Sequence, residues 1–111
     1  MKLLAVISHT LMEAQIKEAN NRLNVDSIVL MPDEIKNIWS NISPFGPLPT
    51  GQIDNVIKWI EKESEKGDYV LIQGDFGATY YVVDYCIKNS RVPIYSTTKR
   101  EIEEYIKDGQ V

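Results

Sequence analysis

Two adjacent cations stand at the start of a predicted helix near the C-terminus. In YSTTKREIEEY, residues 95–105, Thr98 followed three residues later by Glu101 is a capping-box pattern, which predicts that a helix begins there. Lys99 and Arg100 then fall in the first turn, where the partial positive charge of the helix N-terminus disfavours cations. A bound anion with several charges, most simply phosphates, would make this placement favourable. The alternative is that both cations pair with the neighbouring glutamates, Glu101, Glu103 and Glu104.

Two further segments carry residue types that suit a ligand site. They are Ser8-His9-Thr10, after the first predicted strand, and Gln73-Gly74-Asp75-Phe76-Gly77-Ala78-Thr79, after the third. The glycines match neither the dinucleotide fingerprint nor the Walker pattern, so they indicate either close approach of a phosphate or only a tight turn. Asp75 is expected to cap the next helix, since a free carboxylate would repel phosphates. His9 is a candidate for proton transfer because imidazole titrates near neutrality, although a solitary histidine is more often structural or solvated.

The apolar pattern of the whole chain predicts the elements that position these segments. Strands are expected at 3–8, 27–31, 69–72 and 92–95, the first two of them buried, and Pro93 suggests that the fourth is an edge strand. Five helices are expected. The first follows a capping box at Thr10, the second covers 33–39, and the third runs from a cap at Thr50 to a stop at Gly67. The fourth spans 78–86 and the fifth begins at Thr98. This alternation predicts an α/β, three-layer Rossmann-like or flavodoxin-like domain whose mainly parallel four-stranded sheet has the order 2-1-3-4.

The predicted strand order brings the three polar segments to one edge of the sheet. In open α/β sheets the ligand crevice lies beyond the carboxyl ends of the strands, near the point where the strand order reverses. In the order 2-1-3-4, the ends of the first, third and fourth strands are consecutive neighbours. Backbone N–H groups at three helix starts, together with Lys99 and Arg100, would then form a site for a compact polyanion.

Length and composition limit the classes of function. The chain has 111 residues, 43% of them hydrophobic, which suits a single domain over 1–111, and the closing KDGQV is consistent with a further strand that is cut short. A net charge of −4 argues against binding of long nucleic acid. The single cysteine, Cys86, excludes an intramolecular disulfide and fits a reducing compartment. No apolar run approaches the ~20 residues of a membrane span, so we expect a soluble cytoplasmic protein.

Three other residues are assigned to packing before function. Trp39 is expected in the core, with stacking on a nucleobase as the alternative. Cys86 lies on an apolar helical face and is expected to be inert, whereas Tyr80 falls off that face. With one histidine and one cysteine in the chain, no zinc site or other metal site is expected.

Four segments together resemble a known protein family. They are IWSNI (38–42), GDYVLIQGDFGATYY (67–81), PIYSTTKR (93–100) and the SHT turn at 8–10. They are similar to the small stand-alone ring nucleases of type III CRISPR systems, relatives of the CRISPR-associated Rossmann-fold (CARF) sensor domains, and the likeness runs from residue 1 to about residue 105. The resemblance implies a homodimer that binds cyclic oligoadenylate, usually cyclic tetra-adenylate, in a shared cleft. It further implies cleavage without a metal cofactor to linear products ending in a 2′,3′-cyclic phosphate, which switches off the antiviral signal.

The resemblance also suggests a role for each candidate residue. Lys99 or Arg100 would stabilise charge on the phosphate oxygens and His9 would transfer a proton. Phosphates or riboses would be held by Ser8, Thr10, Thr97, Thr98 and the turn from Gly74 to Thr79. Gln73 and Asn41 would reach adenine edges or sugar hydroxyls. The alternatives are a module that binds the cyclic nucleotide without cleaving it, a phosphocarrier that is phosphorylated on His9, and a domain with no ligand.

Overall fold

Strands and helices follow one another along the chain largely as the sequence predicts. The structure is a computed structural model that describes residues 1–9, 13–43 and 45–95. Its elements in chain order are β1 (Lys2–Val6), α1 (Glu13–Arg22), β2 (Ser27–Leu30), α2 (Asp33–Ser40), α3 (Thr50–Glu63), β3 (Tyr69–Ile72), α4 (Phe76–Lys88) and β4 (Val92–Tyr95). The helix expected from Thr98 and the capping residue Thr10 lie outside the described residues.

The four strands form one parallel sheet in the order β2-β1-β3-β4, which confirms the predicted topology. In the centre, Leu4 of β1 is paired with Val29 of β2 on one side and with Val70 of β3 on the other. In the sheet formed by the described residues, β4 is an outer strand, in which Pro93 is opposite Val70. An edge position suits a proline because it has no N–H to donate to a further strand.

Helices cover both faces of the sheet, and alternate strand residues therefore enter two different clusters. On one face the sheet packs against α2, α3 and α4, in a cluster that includes Leu4, Val6, Val70, Ile72, Trp39, Ile53, Ile60, Val82 and Cys86. On the other face it packs against α1, in a cluster that includes Leu3, Ala5, Leu71 and Ala19. This arrangement confirms a three-layer α/β fold with a flavodoxin-like strand order.

The strand predictions were wrong in two respects. β1 ends at Val6 rather than residue 8, and β2 ends at Leu30 rather than Met31. β2 is also not a buried strand, since its side chains are partly or largely exposed and Leu30 is 62% exposed. The reason is the topology: β2 lies at the edge of the sheet, with β1 on one side.

Both predicted boundaries of α3 were also wrong. Thr50 is the first helical residue rather than the cap, and Pro49 precedes it without a side-chain capping bond. The helix ends at Glu63, and Gly67 lies in the turn that leads to β3. Gly67 has φ +94° and donates its N–H to the carbonyl of Ser90 at 2.7 Å. A left-handed φ of this kind favours glycine, so Gly67 serves the turn rather than the helix end.

A buried carboxylate joins two segments at the amino edge of the sheet. Asp68 accepts hydrogen bonds from the backbone N–H of Lys2 at 3.1 Å and of Glu65 at 2.9 Å. Burial by itself raises the pKa of Asp68, but these two bonds and the charge of Lys2 outweigh it, so the pKa is lowered. Asp68 therefore ties the start of β1 to the turn before β3.

Within 1–9, 13–43 and 45–95, the longest helices lack the length and apolar character that a bilayer crossing requires.

Cys86 is fully buried, and burial raises the pKa of its thiol to about 11, which confirms its assignment to the core.

Candidate functional site

The turn after β3 lies beside the end of β1 at the carboxyl edge of the sheet. The N–H of Gln73 donates to the carbonyl of Val6 at 3.1 Å, so the ladder between the two strands extends past the end of β3. Gly74, which follows Gln73, and Ser8, two residues after the end of β1, therefore emerge at the same edge. Ser8 and His9 are both exposed there. Two of the three segments expected to form the site are thus neighbours.

Asp75 caps α4 and uses one of the N–H groups at its start. Its Oδ2 accepts from the N–H of Ala78 at 3.0 Å, which confirms the predicted cap. Because α4 begins at Phe76, the turn comprises 73–75 rather than 73–79. Ala78 is fully buried and its N–H is occupied, so the first-turn donors left for a ligand are the N–H groups of Phe76 and Gly77.

Gly74 in the turn and Gly77 at the start of α4 are both explained by packing. An ideal Cβ on Gly74 would lie 2.7 Å from Nε1 of Trp39, and one on Gly77 would lie 3.2 Å from a methyl group of Leu48. Trp39 is 3% exposed and its Nε1 donates to the carbonyl of Gln73 at 2.9 Å. Trp39 is therefore a core residue, as predicted, and its indole packs against the turn. It does not offer an exposed face for stacking on a nucleobase.

Two buried polar atoms flank this turn without a hydrogen-bond partner among the described residues. They are Oε1 of Gln73, at the first position of the turn, and Oγ1 of Thr79, in the first turn of α4. Buried polar atoms in folded proteins nearly always have a partner, so such a pair marks a place where a ligand or water could supply one. Gln73 and Thr79 are both among the predicted ligand-binding residues.

A cavity of about 380 Å³ opens beside His9, between the ends of β1 and β2. Apolar side chains form most of its wall, and His9, Asp33 and Lys36 add an imidazole, a carboxylate and an ammonium group. Asp33 and Lys36 belong to α2 and are not among the residues that the sequence predicted for the site, since no candidate segment was placed at the end of the second strand. The sequence did carry a signal, because Asp33 follows this strand at its carboxyl end. The remaining lining residues are Ala5, Ile7, Ile16, Ile28, Leu30 and Met31.

The other predicted site residues occupy varied positions. Asn41 is exposed beyond the end of α2, and its side-chain amide donates to the carbonyl of Asn37 at 2.7 Å, which ties it to its own helix. Phe76, at the start of α4, is 89% exposed. The remaining predicted residues lie outside the described part of the chain: Thr10, Thr97, Thr98, Lys99 and Arg100.

Comparison with known proteins assigns the chain to a family. Residues 1–111 match the Uncharacterized protein MJ1673 family. The chain belongs to that family. A similar protein is Uncharacterized protein MJ1673 of Methanocaldococcus jannaschii, which is 43% identical over 114 residues, covering 99% of this chain and 85% of the relative. The relationship to the MJ1673 family therefore concerns the whole described α/β unit rather than one motif. No solved structure matches the chain.

Proposed function

We propose that this protein is a ring nuclease, which binds cyclic tetra-adenylate across a homodimer and cleaves it without a metal ion. The observation that carries the proposal is the carboxyl edge shared by β1 and β3. There, Ser8 and His9 follow β1 at the edge where β3 leads into α4, and among the described residues Oε1 of Gln73 and Oγ1 of Thr79 have no hydrogen-bond partner. The resemblance of the QGDFGATY and STTKR segments to type III CRISPR ring nucleases supplies the substrate class.

The chemistry of a cyclic oligoadenylate suits these groups. Its phosphates would accept hydrogen bonds from the N–H groups of Phe76 and Gly77 at the positive end of α4. Its ribose hydroxyls and adenine amino groups are donors, which is what Oε1 of Gln73 and Oγ1 of Thr79 lack. The adjacent cavity of about 380 Å³ is within the ~300–1,000 Å³ range of small-molecule sites, and its apolar walls suit a purine ring.

The symmetry of the ligand is the reason for proposing a dimer. Cyclic tetra-adenylate has four phosphates related by two-fold symmetry, and a two-fold dimer presents two copies of each strand-end turn. Two pairs of Lys99 and Arg100 would then place four cations opposite four anionic groups. A protein with net charge −4 can bind such a compact anion while it repels long nucleic acid.

The proposed reaction is attack of a ribose 2′-oxygen on the adjacent phosphorus, with departure of the 5′-oxygen. The new bond gives the 2′,3′-cyclic phosphate, the proton of the 2′-hydroxyl is removed, and the leaving oxygen gains a proton. Because nucleophile and electrophile are already tethered, alignment of the 2′-oxygen with the leaving oxygen supplies much of the rate. His9 is the proposed proton-transfer group, and Lys99 or Arg100 stabilises charge on the non-bridging oxygens.

Incubation of the pure protein with cyclic tetra-adenylate and EDTA tests this proposal. Chromatography and mass spectrometry of the products should reveal linear oligoadenylates ending in a 2′,3′-cyclic phosphate. Removal of the general acid or base typically lowers a rate by about 10²–10⁴-fold, so His9→Ala should slow cleavage by that order while the affinity changes little. Arg100→Ala should slow cleavage as well. Asn55→Ala, at an exposed position of α3, is the matched control and should cleave at the wild-type rate.

Two outcomes would contradict parts of the proposal. Tight binding with intact ligand after long incubation would leave a sensor or sequestering module and would exclude the nuclease. Normal cleavage by both His9→Ala and Arg100→Ala would show that the roles are assigned to the wrong residues even though the activity is right.

A further inference from the structure

Three large apolar side chains of α4 are exposed to solvent. Phe76, Tyr80 and Ile87 are 89%, 70% and 66% exposed, respectively. At 3.6 residues per turn, spacings of four and seven residues place all three within about 40° of one another around the helix. The buried residues of α4 are Ala78, Val82, Val83 and Cys86, and Val83 is the one that borders the three exposed side chains. We refer to Phe76, Tyr80 and Ile87 as the α4 stripe.

The length of the α4 stripe excludes a small ligand as its sole occupant. Phe76 and Ile87 are 11 residues apart, which corresponds to about 16 Å along the axis of a helix. A ligand at the carboxyl edge of the sheet would reach Phe76, at the first position of α4, but not Ile87 near the other end. Large exposed apolar surfaces of this kind mark sites of contact with other proteins.

The charges beside the α4 stripe favour a partner that is neither strongly acidic nor strongly basic. Asp84 and Lys88 lie on the exposed side of the helix and form an ion pair at 3.0 Å, so they cancel each other locally. An acidic or basic partner would therefore find no complementary charge on this part of the helix. A second copy of the chain can approach here without repulsion, although the whole chain has a net charge of −4.

We propose that the α4 stripe packs against the α4 stripe of a second copy, about a two-fold axis that runs parallel to the two helices. The direction of the axis rests on the proposed function, because a ligand shared by two subunits requires both carboxyl edges to face the same way. A parallel pair places the two starts of α4 side by side, with Phe76 next to Phe76 of the partner subunit. An antiparallel pair would send the two edges to opposite ends of the dimer.

The size of the α4 stripe indicates a weak dimer. Large aromatic side chains bury about 150–250 Å² each, so the three exposed side chains offer on the order of 400–500 Å² per copy. Two copies would bury about 800–1,000 Å² through the stripe alone, which is less than the ~1,200–2,000 Å² of a stable specific interface. Dissociation in the micromolar range follows, and a ligand that contacts both subunits should tighten the dimer by mass action.

Sedimentation velocity over a concentration series, without ligand, tests the surface. The wild type should dimerise, and Tyr80→Glu combined with Ile87→Glu should raise the dissociation constant by at least about 100-fold, since charged side chains replace two of the three apolar side chains of the α4 stripe. Leu30→Glu is the matched control, because Leu30 is 62% exposed but lies on β2 at the other edge of the sheet. It should dimerise like the wild type. A double variant that dimerises normally, or a wild type that stays monomeric with and without ligand, would overturn the proposal.

Cross-linking tests the direction of the helices without a disruptive charge. In the parallel arrangement, Ile87→Cys lies near Ile87→Cys of a second copy, so a short bis-maleimide should link the variant to itself. In an antiparallel arrangement, links would form only between Ile87→Cys and Phe76→Cys chains in a mixture, and that result would refute the parallel axis. The wild type is the control, since Cys86 is fully buried and should not be linked.

These measurements separate failure of this inference from failure of the proposed function. If the protein dimerises through α4 but neither binds nor cleaves cyclic tetra-adenylate, the proposed interface is supported and the proposed nuclease activity is contradicted. If the double glutamate variant still dimerises and the protein cleaves the ligand, the proposed nuclease activity is supported and the proposed interface is contradicted.

Discussion

The indole of Trp39 fills the space that a side chain at Gly74 would require. Nε1 of Trp39 lies 2.7 Å from the position of an ideal Cβ on Gly74 and donates to the carbonyl of Gln73 at 2.9 Å. A buried residue of α2 thereby supports the backbone of the turn that separates β3 from α4. The position of the candidate site is consequently coupled to the packing of α2.

Gly74→Ala should destabilise the protein. The added methyl group would meet the indole ring rather than the end of a flexible side chain, and overpacking of this kind costs about 1–3 kcal/mol. Gly51→Ala is the matched control, since a Cβ at this helical position would have no neighbour within 4 Å. That control should be neutral or stabilise α3 by up to about 1 kcal/mol. Urea denaturation of both variants measures the difference, and a Gly74→Ala protein as stable as the wild type would refute the steric argument.

Asp75→Ala should weaken α4 by about 1 kcal/mol in the free energy of unfolding, because the N–H of Ala78 loses its acceptor. Asp75→Asn keeps a side-chain oxygen at the cap and should retain most of the stability. Because it removes a negative charge beside the proposed phosphate site, it should also bind cyclic tetra-adenylate more tightly. Thermal unfolding and calorimetric titration check the two effects. Equal loss of stability in both variants would show that charge, rather than the hydrogen bond, dominates at this cap.

The carboxylate of Asp68 should make stability depend on pH in the acid range. Its pKa is lowered in the folded protein, so its contribution is fully present well above the ordinary value of 3.8 and is lost as the pH falls below it. Asp68→Asn should lose about 1–3 kcal/mol at neutral pH, since hydrogen bonds to a charged group are replaced. When the pH is then lowered into the acid range, the free energy of unfolding should fall less for Asp68→Asn than for the wild type. Parallel acid dependences for the two proteins, from urea titrations at several pH values, would contradict this role.

The thiol of Cys86 should report opening of the fold. It is fully buried and its pKa is raised to about 11, so both access and ionisation limit its reaction. An aromatic disulfide reagent near pH 8 should therefore modify the native protein slowly and the urea-unfolded protein rapidly. Immediate stoichiometric reaction of the native protein would show that the helix carrying Cys86 is not packed as described.

The features that the sequence predicted well are those that depend on local patterns. Apolar runs located β3 and β4 at their observed bounds, and the alternation of strands and helices led to the observed sheet order. The cap at Asp75 and the burial of Cys86 also follow from short-range chemistry and helical spacing. Each element and cap is predicted from a few neighbouring residues, and the sheet order follows from the succession of these elements along the chain.

The sequence alone thus determined the fold class, the order of the strands and the edge at which Ser8, His9 and Gln73 meet, because parallel strands with right-handed crossovers leave few arrangements. Only the tertiary structure decided which residues fill the space around that edge. The contact of Trp39 with Gly74 and the cavity that His9 shares with Asp33 and Lys36 both join residues far apart in the chain. No local pattern encodes such distances, since they depend on how the packed layers meet.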